Sequence, residues 1–312
     1  MNDKLPTYGG QAVIEGVMMR GAQAVSIAMR APNNEIVIHS EALHGIYKSR
    51  IAKIPFLRGL TALWDALGLG LRALTISANT QTGEDEKLEG PQLYFTLAFA
   101  LTFGIGLFFL APAAIGQLSE RFLGWNSWLG NLLEGIVRLV ILVGYIGLVG
   151  KLPEIRRVFA YHGAEHKTIN AFEAGAELTP QNVACYSIEH PRCGTAFLLT
   201  LVIFSILLFS LLGPLPMAWR LISRVIFLPL LAGVAYEYIR WTANHLTSPL
   251  VGWLVKPNLA LQHLTTREPD LGMLEVAIAA FKSMRAQEDS LRSHTASARA
   301  EKEPAEEVQI TV

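Results

Sequence analysis

Residues 92–118 read QLYFTLAFALTFGIGLFFLAPAAIGQL, and this stretch decides the fold class. The run without charged residues extends from Gly90 to Ser119. Because a helix rises about 1.5 Å per residue, the run is long enough to cross a hydrocarbon core of roughly 30 Å. The whole chain is 51% hydrophobic and 17% charged, which is too apolar for an ordinary soluble protein. The sequence therefore predicts a membrane protein.

Three more apolar segments follow the first. The second, near 130–150, contains Glu134 and Arg138, whose spacing of four with the acid first favours an ion pair on one helix. The third, 194–212, carries no charge, and the tight connection 213–216 leads into the fourth. We predict an α-helical integral membrane protein with about four transmembrane helices and a small N-terminal β-rich cytoplasmic element.

The distribution of lysine and arginine predicts the orientation of the helices. Both residues are frequent in 1–90, in 151–192 and after residue 256, whereas the connection 119–129 holds only Arg121. Since cytoplasmic loops retain an excess of positive charge, both termini and the central loop are predicted to be cytoplasmic.

Two arginines in the fourth segment oppose this trend. Arg220 and Arg224 lie toward the outer end, where the rule predicts few cations. The same topology places Glu134 at their depth on a neighbouring helix, so we expect the arginines to pair with it.

Outside the spans, residue periodicity predicts a β hairpin and an amphipathic helix. Apolar residues alternate in 24–30 and 36–38 around a Pro-Asn-Asn turn. Apolar positions in 57–74 step by three and four, which predicts an interfacial helix, with a re-entrant segment as the alternative. Asp270 is expected to cap a short C-terminal helix. The predicted parts are a β-rich element 1–56, an interfacial helix 57–79, a linker 80–90, a transmembrane domain 91–245 with a central cytoplasmic loop 151–193, a cytoplasmic helical segment 246–286 and a disordered tail 287–312.

Charge and cysteine content exclude several functional classes. The 26 basic and 26 acidic residues balance, so no basic field indicates nucleic acid as a partner. The polar start MNDKLPTYGG lacks the apolar core of a secretory signal. Cys185 and Cys193 are too few for a disulfide framework, and the predicted compartment is reducing, so we expect free thiols or metal ligands.

The densest chemical signal is YHGAEHK at 161–167, which contains H-x-x-E-H, the order found in inverted zinc metalloproteases. On a helix, His162 and His166 lie one turn apart on one face, so both imidazoles can bind zinc or another divalent transition metal. Glu165 stands beside them as a candidate base for activating water. Pro153 suits the first turn of such a helix. The alternative is a juxtamembrane helix whose histidines contact headgroups or buried carbonyls.

A metal site also needs a third ligand. His190 and Cys193 lie just before the third span, and Glu237 lies near the cytoplasmic end of the fourth, with His245 beyond it. The predicted topology places all four on the side of the H-x-x-E-H segment. Taken singly, Cys193 is more simply interpreted as a small buried residue, and Glu237 as the partner of Arg240 on the same helix.

Four strings occur in order along the chain: GGQAVIEGVMMRG at 9–21, YHGAEHK at 161–167, HPRCGT at 190–195 and LTTREP at 264–269. The first matches no phosphate loop or dinucleotide fingerprint and predicts a tight-turned assembly of strands. The last indicates a helix start. With these strings, the chain resembles the YqhQ-like family of bacterial multi-pass membrane proteins, a domain of unknown function, from Tyr8 to about Ala286. The resemblance implies an inner-membrane protein and a metal-dependent enzyme, with a cluster of His162, His166, His190 and Cys193.

Competing functional hypotheses remain open at this point. The first is a membrane-embedded, metal-dependent hydrolytic enzyme, with His162 and His166 as ligands, His190 or Cys193 as the third, Glu237 as a further acidic ligand and Glu165 as the base. The second is a non-enzymatic scaffold or transport component that uses the charges inside the bundle. A structural zinc clip is the third. The expected partner is the lipid bilayer, and a protein partner or a second copy of the chain is left open.

Overall fold

The computed structural model describes residues 8–43, 54–82, 90–213 and 215–300. The protein is mostly helical and has one small N-terminal sheet, as the sequence predicted. The strands are β1 (Gly9–Val13), β2 (Gly16–Arg20), β3 (Ala24–Arg30) and β4 (Ile36–Ala42). The helices are α1 (Leu57–Gln81), α2 (Pro91–Ile105), α3 (Ala111–Leu123), α4 (Ser127–Val149), α5 (Pro153–Glu173), α6 (Pro180–Ala184), α7 (Gly194–Ser210), α8 (Met217–Asn244), α9 (Pro249–Thr265) and α10 (Leu271–Ala300), with a π-helical turn, Gly106–Leu110, between α2 and α3.

The four strands form an antiparallel meander in chain order. The predicted hairpin is β3 with β4, which pairs Arg30 with Ile36 next to its turn. The glycine-rich segment 9–21 is a tight-turned strand pair, in which Val13 lies opposite Gly16. Both predictions from the alternating and glycine-rich patterns are therefore confirmed.

The amphipathic helix predicted at 57–74 is α1, which continues to Gln81. Its Ala73 is buried with the sheet, and its Gly59 permits close contact with α8, because a Cβ at Gly59 would lie 3.0 Å from the Cα of Gly233. Its outward face exposes Trp64, which is 66% accessible. Helix α1 therefore has an apolar outward face and buried contacts behind it. Most of the predicted linker, residues 83–89, lies outside the described residues.

Three helices are long and apolar enough to cross a membrane: Pro91–Leu123, which comprises α2, the π-helical turn and α3, together with α4 and α8. The predicted third span is α7, an apolar helix of 17 residues. Within the described ranges the number of full-length candidates is therefore three, where we predicted about four spans, and α7 lies at the short end of the spanning range. These helices expose large apolar side chains outward, such as Phe95 at 75% and Phe99 at 65%.

A buried ion cluster joins the long helices. Glu134 of α4 is almost completely buried and meets three arginines. Its carboxylate oxygens lie 2.8 Å from Arg138 Nη2, 2.7 Å from Arg224 Nη2 and 3.5 Å from Arg220 Nε. Arg220 also pairs with Glu120 of α3. The predicted pair within α4 and the predicted pairs between helices are both confirmed.

Arg138 also contacts the π-helical turn between α2 and α3. Its Nε donates a hydrogen bond of 3.0 Å to the carbonyl oxygen of Phe108, inside that turn. A π-helical turn displaces a carbonyl from the regular ladder, and in an apolar environment that carbonyl needs another donor. Arg138 Nη1 lies 3.3 Å from the Ser205 hydroxyl of α7. One guanidinium thus connects three apolar helices.

The sheet, α5 and α10 share a separate hydrophobic core beyond the end of α4. Its largest buried members include Met19, Tyr161, Leu274 and Phe281. Asp270 caps α10 as predicted, because its Oδ1 accepts a 2.8 Å hydrogen bond from the Met273 N–H.

The predicted disordered tail does not begin at residue 287, because α10 continues to Ala300. The reason is tertiary packing. Leu291 packs against the buried core, and Glu288 is buried and accepts a 2.7 Å hydrogen bond from the Gln23 N–H. The composition after residue 287 is polar, but one face of the helix still contacts the sheet and the core. Residues 301–312 of the predicted tail lie outside the described residues.

We expect Glu134→Gln to lower the stability of the purified protein by about 3–5 kcal/mol, because three buried arginines lose their shared carboxylate. Glu120→Gln is the matched control, since Glu120 is partly exposed and its ion pair is with Arg220. Thermal unfolding in detergent measures both changes. An equal decrease in the stability of the two variants would contradict the conclusion that Glu134 is the centre of the ion cluster.

Candidate metal centre

The helix that carries H-x-x-E-H is α5, and it begins as predicted with Pro153 in its first turn. Its middle part is buried almost continuously from Ala160 to Ile169. His162 and His166 lie on one face, with ring centroids 4.4 Å apart. The local geometry inferred from their spacing is therefore present.

Cys193 is the residue that completes a three-membered group with the two histidines. One ligand atom from each of His162, His166 and Cys193 lies within 4.8 Å of the other two. The Cys193 Sγ is 3.2 Å from His162 Nε2. The buried Nε2 of His166 has no hydrogen-bond partner within the described part of the chain. Two imidazoles and a thiol match the donor set that zinc and similar transition metals prefer.

Backbone carbonyls orient both histidine rings. The Nδ1 of His162 is 2.9 Å from the carbonyl oxygen of Thr265, and the Nδ1 of His166 is 2.5 Å from that of Ile188. A carbonyl only accepts hydrogen bonds, so each Nδ1 is assigned the proton. Each Nε2 is then left with a lone pair for a ligand, which is the arrangement common in metal-binding histidines. The orphaned Nε2 of His166 therefore fits a cation.

Cys193 owes its place to the start of α7, where it is the N-cap residue. Its sulfur lies 3.1 Å from the Thr195 hydroxyl and 3.5 Å from the Thr195 N–H. The Thr195 N–H thus donates to this sulfur, and the deprotonated form of a cysteine is the one that binds metals. The simpler interpretation of Cys193, a small buried residue, accounts for its burial but not for its contact with His162.

Glu165 lies beside the group and is covered by the first strand. The backbone N–H of Gly10 donates to its carboxylate, and a Cβ at Gly10 would lie 3.0 Å from Glu165 Cδ. Burial raises the pKa of Glu165 to about 7, although His162 and the Gly10 hydrogen bond favour the ionised form. The glycine-rich string is thus part of the site, as the wall over this carboxyl.

His190 is close to the group but does not belong to it. Its ring centroid is 5.5 Å from that of His166. The side chain of Gln262 holds the backbone of His190, accepting from its N–H at 2.9 Å and donating to its carbonyl at 2.8 Å. Burial and the Arg192 charge lower the pKa of His190 to about 2, which favours the neutral ring. Among the predicted third ligands, the structure therefore brings Cys193 into the group rather than His190.

Glu237 and His245 lie elsewhere. The Glu237 carboxylate accepts a 2.6 Å hydrogen bond from Arg58 Nε and a 3.1 Å bond from the Phe56 N–H. Its ion-pair partner is thus on α1 rather than Arg240 of its own helix. His245 is exposed, and its Nδ1 lies 2.8 Å from the Trp241 carbonyl oxygen. The structure does not bring the predicted acidic ligand to the histidines.

Two polar residues of α5, whose contacts the sequence analysis did not predict, hold the loop before α7. Lys167 donates to the carbonyls of Ala184 and Tyr186 at 2.9 and 2.7 Å. Asn170 donates to the carbonyls of Ser187 and Glu189 at 2.8 and 2.9 Å. Their spacing on the α5 face that follows His166 was the available signal. The orienting carbonyls of Ile188 and Thr265 left no signal, because every residue has a carbonyl.

Comparisons with known proteins agree on one family. A family model described as "Protein of unknown function (DUF1385)" matches residues 54–287. The chain is 34% identical over 294 residues to "Uncharacterized protein YqhQ" of Bacillus subtilis (strain 168), an alignment that covers 89% of this chain and 92% of that protein. No solved structure matches.

We expect Gly163→Ala to destabilise the protein by about 1–3 kcal/mol and to disturb the His162 ring. The new Cβ would overlap the carbonyl oxygen of Arg267, which is backbone and has little freedom to move away. Gly144→Ala is the control, since a Cβ at Gly144 would meet no described atom within 4 Å. Thermal unfolding measures the stability of the two variants. Equal stabilities would contradict the close approach of Gly163 to the Arg267 carbonyl.

Proposed function

The chain belongs to the DUF1385 family of proteins of unknown function, and we propose that it is an integral protein of the bacterial inner membrane with a cytoplasmic transition-metal centre. The observation that carries the proposal is the convergence of His162, His166 and Cys193, together with the unpartnered Nε2 of His166. A buried nitrogen without a partner is costly, and a bound cation would remove that cost.

The outward apolar surface supports membrane insertion. Pro91–Leu123, α4 and α8 have the length and composition of spans, and α7 lies between them as a fourth, shorter span. Four crossings return the chain to the side on which it started. The sheet, the metal centre and the C-terminal helix then share one side, and the distribution of basic residues supports a cytoplasmic location for that side.

The site favours hydrolytic chemistry. Three protein ligands leave a coordination position for water or substrate, as catalytic zinc sites do, and zinc bound there would polarise that group. His162 is only partly buried, so the group lies near an accessible edge. Glu165 is the neighbouring carboxyl that would accept the proton of the attacking water. Gly10 and the carbonyls of Thr265 and Ile188 would hold these side chains in position.

Elemental analysis of the detergent-purified protein tests the centre. We expect near-stoichiometric zinc or another transition metal in the parent and at least a roughly tenfold lower content in His166→Ala, because two ligands rarely retain a metal. His245→Ala is the matched control and should keep the metal, since His245 is exposed and remote from the group. A parent without metal after reconstitution, or equal loss in both variants, would overturn the proposal.

A thiol–imidazole pair is the second candidate, favoured by the 3.2 Å separation of Cys193 Sγ and His162 Nε2. A histidine beside a cysteine at a helix N-terminus is the arrangement of many thiol nucleophiles. A metal-free parent in which Cys193 is alkylated rapidly, and in which His162→Ala slows that alkylation, would favour this function.

A hydrolase should instead retain its metal and lose hydrolysis of model esters or peptides in Glu165→Gln. A purely structural clip would show no hydrolysis in the parent.

The native Cys185 reports on orientation. Its thiol is exposed in the central loop, whereas Cys193 is buried. We expect a membrane-impermeant maleimide to label the protein in inverted membrane vesicles and not in intact spheroplasts. Cys185→Ser controls for labelling of Cys193. Equal labelling from the periplasmic side would reverse the proposed topology.

A further inference from the structure

A second site lies around the first two turns of α5, before the histidines. It is a cleft of about 580 Å³ where the connection after α4, the first turns of α5 and the segment between α9 and α10 meet. Its lining residues are Lys151, Pro153, Arg156, Arg157, Ala160, Arg267, Glu268 and Met273. No predicted metal ligand lines it, so the cleft is distinct from the candidate metal centre.

The cleft carries an excess of positive charge. Four of its lining residues are basic and one is acidic. The acid, Glu268, is engaged by Lys167 at 3.0 Å. Arg157 is neutralised by Glu15, whose carboxylate oxygens lie 2.5 and 2.6 Å from its Nε and Nη2. This contact keeps the pKa of Glu15 below its ordinary value.

The remaining cations have no carboxylate partner within the described ranges. Lys151 and Arg156 are exposed. Arg267 directs one nitrogen, Nη1, to the carbonyl oxygens of His263 and Thr266, both at 2.7 Å. Its guanidinium lies 5.9 Å from the centroid of the Phe159 ring, and no described carboxylate is within ion-pair distance. Uncompensated like charges around a concave site repel one another, and an anion between them would be stabilised.

The position of the cleft suits the edge of a bilayer. Lys151 comes two residues after the end of α4, one of the candidate spans. The neighbouring Leu148 and Leu152 expose 67% and 52% of their surface, so apolar and basic surface adjoin here. Apolar walls of the cleft are added by Pro153, Ala160 and Met273. A cationic site with apolar walls at this depth matches a phosphate joined to a glycerol backbone.

We propose that this cleft binds the phosphate-bearing headgroup of an anionic glycerophospholipid of the adjoining leaflet, with Lys151, Arg156 and Arg267 as the recognising cations. The inference rests on the membrane insertion proposed above and not on the metal. Because α5 carries the cleft in its first two turns and the histidines in the turns that follow, a bound lipid would hold the metal centre at a set distance from the bilayer surface.

The experiment titrates phosphatidylglycerol or phosphatidylcholine into the detergent-purified full chain and follows binding by native mass spectrometry. We expect phosphatidylglycerol to bind more tightly, and the double variant Lys151→Gln/Arg156→Gln to bind it about 10- to 30-fold more weakly. The matched control Lys256→Gln/Lys282→Gln, which removes two exposed lysines elsewhere, should bind like the parent. The charge-preserving variant Lys151→Arg/Arg156→Lys should also bind like the parent.

Three outcomes would overturn the proposal. Equal weakening in both neutralised variants would mean that anionic lipid associates with basic surface in general, and it would overturn the assignment. Competition by millimolar inorganic phosphate would show that the cleft takes a soluble phosphate instead. Lack of preference for phosphatidylglycerol would also overturn the proposal. Metal content and Cys185 labelling are measured on the same samples, so failure here is distinguishable from failure of the proposed function.

Discussion

The structure depends on the Glu134 carboxylate and the three arginines around it. A charge in an apolar bundle is stable only when another charge or a hydrogen bond compensates it. Glu134 and Arg138 belong to α4, whereas Arg220 and Arg224 belong to α8. One carboxylate can compensate all three arginines only if the two helices keep one relative depth and one relative rotation. Arg138 extends the same requirement to the π-helical turn through Phe108. The ion cluster therefore specifies the register of the bundle as well as contributing to its stability.

That register also positions the helix ends on the other side of the bundle. Helix α7 begins after Cys193, which faces His162, and α9 ends at Thr265, whose carbonyl orients the same ring. The first strand supplies Gly10 above Glu165. The segments 9–21, 190–195 and 264–269 thus each contact α5 near the histidines, although they are far apart along the chain. All three border the candidate metal centre.

The two proposed sites use different physical properties of α5. The metal centre requires burial, which removes water from the imidazoles and the thiol and makes an unpartnered nitrogen costly. The lipid cleft requires exposure, so that long basic side chains reach headgroups. Between them, Tyr161 contacts Glu15 at 3.3 Å and links the helix to the sheet. A helix with a buried half and an exposed basic start can therefore serve chemistry and membrane attachment together.

The sequence by itself determined the apolar helices, the β hairpin, the facing pair His162 and His166, and the charge pairing of Glu134, because these depend on local periodicity or on charges that have few alternative partners. Tertiary structure alone decided that Cys193 rather than His190 joins the histidines, that Arg58 takes Glu237, and that α10 continues beyond residue 287. Those outcomes depend on contacts between residues distant in sequence and on backbone carbonyls, which are identical in every residue and so leave no pattern to interpret.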